Sequence, residues 1–207
     1  RPREGQLLET VELGDFRAVR QGPEGPESLR SDGVRWTRAG LRLEGNVQWQ
    51  QPMEKQRLSL RAPRVLIREA PGPDLPESLP QGEAWAEGQA VLSWNGRTLT
   101  SPHIEVQYRT RRWHLQAPTL GRGPEGAFSA GAGQGDPRHW DFEGPIQATL
   151  ANGGMLRGAR LSWEDRVWIL TGRPATWNRL RERLAGPRIV LREFHPEGVS
   201  GSLAAAE

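Results

Sequence analysis

An apolar or aromatic residue closely preceding a glycine, then a leucine and a small-residue or proline step, recurs along most of this chain. It reads Leu43-Glu44-Gly45 then Leu58 and Ala62-Pro63, and Trp85-Ala86-Glu87-Gly88 then Leu99 and Ser101-Pro102. It returns as Phe142-Glu143-Gly144 then Leu156 and Gly158-Ala159, and as Leu170-Thr171-Gly172 then Leu184 and Gly186-Pro187. The glycine-to-leucine offset is 13, 11, 12 and 12 residues, so the register holds while the letters drift. Self-similarity of this kind marks a stacked or rolled β architecture, in which no single unit buries its own apolar face.

Successive glycines of the repeat lie 43, 56 and 28 residues apart, and 56 is twice 28, so a degenerate copy is expected midway. Trp113-His114-Leu115-Gln116-Ala117-Pro118, 29 residues after Gly88, fits that place. The 43-residue step carries an insert from Ala70 to Pro80 whose four prolines cannot join a central ladder, which predicts a surface loop near 70–82.

A chain of 207 residues suits one domain with a core of its own. Residues 1–39 read as strands and loops leading into the repeat region, and 40–207 as the body of the fold. The absence of cysteine excludes thiol catalysis, Cys-based metal sites and a disulfide framework. No run approaches the ~20 apolar residues that span a bilayer. The charged start Arg1-Pro2-Arg3-Glu4 leads straight into strand-like sequence, and the expectation is either a cytosolic chain or one that begins after a removed targeting segment.

Net charge is only +3, and the pI near 10.4 follows from using arginine almost exclusively, Lys55 being the only lysine. Arginines cluster at Arg57, Arg61, Arg64 and Arg68, at Arg109, Arg111 and Arg112, and at Arg179, Arg181 and Arg183. On one strand the last three would form a cationic row able to meet phosphate or carboxylate. A solvated face balanced by the 25 acidic residues is the plainer reading of them.

Period-two alternation predicts strands at Leu41–Trp49, Ala90–Trp94, Ile104–Tyr108 and Ile146–Leu150. Asn95-Gly96 is a type I′ hairpin signal, Asn152-Gly153-Gly154 a relative of it, and Glu164-Asp165-Arg166 a short polar reversal. Trp177 to Leu184 has the i, i+4 leucine spacing of a short helix between Pro174 and Pro187. Gly121 to Pro137, with its many glycines, reads as an irregular loop or a disrupted repeat. The expected fold is all-β: repeated antiparallel strands forming two facing sheets with an apolar interior. That interior either fills a core or lines a groove for acyl chains.

The residues offer no catalytic constellation. His103, His114, His139 and His195 have no metal-ligand spacing. Gly121-Arg122-Gly123-Pro124-Glu125-Gly126 matches G-x-G-x-x-G, but Pro124 and the lack of a following helix remove the helix N-terminus that the motif needs. Nothing singles out a pair among Glu143, Glu164 and Asp165. A non-enzymatic protein with no cofactor, no metal and no nucleic-acid partner is expected.

Leu41-Arg42-Leu43-Glu44-Gly45-Asn46-Val47 with Leu58-Ser59-Leu60-Arg61-Ala62-Pro63, and Ile169-Leu170-Thr171-Gly172-Arg173-Pro174-Ala175 with Arg183 to Leu191, resemble the OstA-type repeat of the lipopolysaccharide-transport bridge proteins LptA and LptC. The resemblance runs from about Gly40 to the C-terminus. Gly186-Pro187-Arg188 departs from the family's usual Gly-Asp-Arg, and Gly121 to Pro137 matches nothing in it. The resemblance implies a β-jelly-roll or β-taco with open edges, enclosing the acyl chains of lipopolysaccharide or a similar amphipathic lipid while the polar groups stay in water. It also implies a periplasmic location and end-to-end stacking with other OstA-like proteins through strands near Val11–Val19 and Ile189–Ala204. An inner-membrane transporter complex is a further implied partner, and the family's anchored member carries a transmembrane helix that would lie before Arg1. On this basis Leu43, Val47, Trp49, Leu92, Trp94, Ile104, Val106, Phe142, Ile146, Leu150, Trp163, Leu170 and Ile189 would hold acyl chains, with rim arginines on phosphates. A one-residue slip would invert that set. The alternatives are a structural, self-assembling β-roll of the cell envelope without lipid, and a glycan-binding or glycan-cleaving module needing an exposed aromatic strip or a carboxylate pair.

Overall fold

The computed structural model describes residues 11–22, 24–37, 40–53, 56–68, 83–107, 110–164, 167–192 and 195–200. The expected loop at 70–82, Arg109, Asp165 and Arg166, and residues 201–204 lie outside them. The fold is all-β, one antiparallel sheet of 15 strands. Its first six are long: β1 (Val11–Gly22), β2 (Gly25–Thr37), β3 (Gly40–Met53), β4 (Gln56–Ile67), β5 (Glu83–Trp94) and β6 (Arg97–Gln107). Four short ones follow, β7 (Arg112–Leu115), β8 (Thr119–Gly123), β9 (Gly126–Ala130) and β10 (Gly133–Gly135). The last five are β11 (His139–Leu150), β12 (Met155–Glu164), β13 (Val167–Arg179), β14 (Glu182–Arg192) and β15 (His195–Ser200).

Pairing follows chain order, with one interruption. β7 and β8 both pair with β6, one at each end, and β9 and β10 pair with opposite ends of β11. Since β7 also pairs with β10 and β8 with β9, each short pair makes one broken rung. The glycine-rich stretch from Gly121 to Pro137 is therefore ordered strand, not the irregular loop its composition suggests. Glycine there provides space: a Cβ on Gly121 would overlap the Phe128 ring, and one on Gly133 the Phe142 ring. The G-x-G-x-x-G stretch is the β8–β9 hairpin. Trp177 to Leu184 is likewise a hairpin, with Arg179 opposite Glu182 and Leu180 at φ 52° in the turn. Of the apolar i, i+4 pair that suggested a helix, Leu180 lies exposed in the turn and Leu184 on β14. Asn95 and Gly96 adopt φ 45° and 71° between β5 and β6, as a type I′ turn requires.

The repeat marks where the strands bend. Register shifts fall between Glu44 and Val47, Glu87 and Ala90, Glu143 and Ile146, and Thr171 and Ala175. Each begins at the residue just before the repeat's glycine. Gly45, Gly88 and Gly144 take φ 70°, 81° and 95°, a conformation that a Cβ penalises. On the intervening strands the bend falls at the small-residue/Pro step, at Ala62-Pro63, Ser101-Pro102 and Gly158-Ala159. There the Ser101 hydroxyl lies 2.7 Å from the carbonyl oxygens of both His103 and Gln116, tying two successive corners together. One correction concerns Trp85: the inward residue before Gly88 is Ala86, while Trp85 is half-buried on the outer face beneath the Arg68 guanidinium.

Bending at every rung folds the sheet into two facing layers. Trp94 and Trp113 pair with Arg97 and Val106, the two ends of β6, which on a flat strand would stand roughly 30 Å apart. Their ring centroids are 4.9 Å apart. Phe142, in the first half of β11, and Phe128, on β9 opposite Ala148 in its second half, are 4.7 Å apart. The contacts run obliquely, β5 and β6 of one layer meeting β7, β11 and β12 of the other, as sheet twist requires. That offset leaves the inner residues of edge strand β1 with little cover, and Leu13 is 58% exposed.

Candidate functional site

All thirteen residues of the expected apolar set are buried, so the inward parity of each strand is the one the alternation suggested. They do not form one line. Leu43, Ile104, Phe142, Leu170 and Ile189 belong to a register row that runs Val34, Leu43, Val65, Ala86, Ile104, Leu115, Gly133, Phe142, Leu161, Leu170, Ile189 across the first layer. Val106 and Trp163 lie in a second row of that layer, with Trp113, Gly135, Trp140 and Trp168. Trp49 and Leu92 belong to the facing layer's row, which continues through Leu60, Leu99, Gly121, Phe128, Ala148, Leu156 and Trp177. Val47 and Ile146 sit beside the corners, and Trp94 and Leu150 close the strand ends of the second layer.

Among the described residues nine aromatic side chains are buried, and the set omits five of them, Trp113, Phe128, Trp140, Trp168 and Trp177. Trp140 touches Trp94, Phe128, Phe142, Trp163 and Trp168, all at ring-centroid distances of 4.8 to 6.4 Å. Alternation could have found it, since Trp140-x-Phe142 and Trp168-x-Leu170 share a parity. Phe128 lay hidden because glycines surround it. Packing at this centre is tight: the space between Leu99, Phe128, Trp140, Leu156 and Trp168 measures about 20 Å³, room for about one water.

Opposite the corners, two rows of turns face each other along a seam. Among the described residues no strand pairing joins them. Side chains close it instead. Arg111, from the turn before β7, donates to Glu24, from the turn before β2, at 2.6 Å. Arg97, at the start of β6, is ion-paired with Glu125 of the β8–β9 turn and reaches over the seam, 5.2 Å from the Trp163 ring centroid. Beside it opens a cleft of about 650 Å³ between Met53, Gln56 and Trp94 on one layer and Thr110, Asp136 and Glu164 on the other.

The arginine clusters take a different form from the one the spacing suggested. Arg57, Arg61, Arg64 and Arg68 are exposed on β4 and just past its end. Arg179, Arg181 and Arg183 flank a turn on two strands, so they make no single-strand row. On the outer face Arg160 donates to Asp141 (Nε to Oδ1, 2.7 Å), and this hydrogen bond with the carboxylate's charge raises the guanidinium above its ordinary pKa. His114 and His139 are exposed and His103 half-buried, and among the described residues no three His, Asp or Glu side chains group as a metal site. Comparison of the chain with protein-family models and with curated proteins finds no match.

Proposed function

We propose that the protein is a non-enzymatic periplasmic module that shields the acyl chains of lipopolysaccharide, or of a related amphipathic lipid, between its two layers and passes them toward the outer membrane. The observation that carries this reading is the pair of facing apolar surfaces, continuous across the rungs and meeting at a seam held by side chains rather than by a ladder. A row that spans a dozen rungs at about 4.8 Å each is longer than an acyl chain. Among the described residues, separating the layers along the seam breaks no backbone hydrogen bond, so chains can enter sideways while sugars and phosphates stay in water. The resemblance of the corner motifs to the OstA-type repeat supports the same reading. The edge strands β1 and β15 leave unpaired backbone groups among the described residues, which suits strand addition by a neighbouring module of the same kind.

The packed aromatic centre favours a second reading, a structural β-roll that assembles through its edges and carries no lipid. Photocrosslinking in cells separates the two. With a benzophenone residue at Val106, Ile146 or Trp94, a lipopolysaccharide adduct that is absent with the probe at exposed Arg61 supports transport. No adduct at all three interior positions supports the structural roll.

A further inference from the structure

Hydrogen-bond donors are in surplus at one place in the interior. The ring nitrogens of Trp94, Trp113 and Trp140 and the Nε of Arg97 are buried and have no acceptor. The Trp94 ring centroid lies 4.9 Å from that of Trp113 and 5.3 Å from that of Trp140, and the Arg97 guanidinium carbon lies 5.9 Å from the Trp140 ring, so these four side chains pack together across the two layers. Indole and guanidinium N–H groups donate and never accept, so no rearrangement among these four can pair them. A buried donor left without an acceptor carries an uncompensated desolvation cost, which makes an acceptor supplied from outside favourable.

The cluster has an opening. Trp94 and Arg97 also line the 650 Å³ cleft at the seam. Its rim carries Arg111 and Arg138 against Asp136 and Glu164. Asp136 is turned onto its own loop, its Oδ1 accepting the backbone N–H groups of Arg138 at 2.8 Å and His139 at 2.9 Å. We infer that this is a headgroup site, where the phosphate monoester of an amphipathic ligand meets the Trp94 ring nitrogen and the Arg97 Nε, unpaired donors of residues that line the cleft, while Arg97 keeps its ion pair with Glu125 through Nη2 and the acyl part runs inward along the apolar rows. A phosphate presents several terminal oxygens, so one group can reach both donors, and charge-assisted bonds to such an oxyanion are the stronger kind. The inference rests on the lipid reading above and adds where along the seam the polar end is held.

Calorimetric titration of the whole chain with dodecyl phosphate below its micelle concentration, with dodecanol and with inorganic phosphate tests it. Dodecyl phosphate should bind about tenfold more tightly than dodecanol, as one good charge-assisted bond implies. Trp94→Phe, which keeps an aromatic ring and removes the donor, should weaken dodecyl phosphate about threefold or more beyond whatever it costs dodecanol. Arg97→Gln should do the same with a larger effect. Equal affinity for dodecyl phosphate and dodecanol, or equal losses for both in the variants, would overturn the headgroup site and leave the lipid reading standing. Binding of inorganic phosphate as tight as dodecyl phosphate, with dodecanol silent, would overturn it in favour of a free-phosphate site. Binding of none of the three would remove the lipid reading itself.

Discussion

The two halves of the roll fill the same interior in different ways. From β2 to β6 the inner rows are mostly medium and small aliphatic side chains, Val34, Leu43, Val65, Ala86 and Ile104 in one row and Leu60, Leu92 and Leu99 in another, together with the buried rings of Trp49 and Trp94. From β7 to β13 rings and glycines stand beside one another among the leucines of the rows: Trp113 and Trp140 flank Gly135, and Gly133 makes room for Phe142 and Gly121 for Phe128. Aliphatic rows can slide and repack with little loss, because any methylene is an adequate neighbour for another. Rings fitted over glycines have one arrangement. The aromatic half holds the bent sheet in register, and on the lipid reading proposed above the aliphatic half is where the layers would part for an acyl chain.

Truncating the aromatic centre should have the largest effect. Trp140→Ala removes a ring that touches five others and is expected to lower unfolding free energy by about 3–5 kcal/mol in urea denaturation. Leu60→Ala in the aliphatic half should sit at the lower end of the aliphatic range, about 2–3 kcal/mol, because neighbours can close in. Equal losses would erase the contrast between the halves. Next in size, Gly133→Ala sets a methyl group against the Phe142 ring and should cost about 1–3 kcal/mol. Phe142→Leu in the same chain should recover part of that, and no recovery would mean that the cost lies in the backbone. At the corner, Gly45→Ala meets both a φ of 70° and the Asp32 side chain, for an expected loss of about 1–2 kcal/mol without rescue by any neighbouring ring change. The smallest effect is expected on the outer face. Arg160→Gln should change stability by about 1 kcal/mol or less, since the Arg160 side chain is 55% exposed and only its partner Asp141, at 15%, is largely covered. With its pKa raised from an already high value, Arg160 stays charged throughout the range in which proteins are handled and adds no pH dependence of its own.

Much of this architecture is legible in the sequence because two physical signals coincide. Alternation places Leu43, Val47, Trp49 and the rest of the expected set inward, and the glycine and proline steps mark the bends that turn one sheet into two layers. What is not legible follows from the same physics. Gly121 to Gly135 looks like a loop because a glycine that yields its volume to a ring across the strand carries no pattern of its own; the pattern sits on Phe128 and Phe142. Leu180 and Leu184 look helical because a tight hairpin brings two strands within the reach of a helical window. The convergence of Trp94, Arg97 and Trp140 at the seam depends on the oblique offset of the layers, which arises from twist accumulated over several strands and leaves no local trace.

The most direct test of a roll that opens along its seam is a distance across it. Spin labels at Arg57 and Arg112, both exposed and on opposite layers, report that separation by pulsed electron resonance. Adding lipopolysaccharide should shift the distribution to longer distances by several ångströms, with little change for a pair confined to one layer, such as Arg61 and Gln147. An unchanged distance across the seam at saturating lipopolysaccharide would contradict the account, leaving a roll whose interior is core alone.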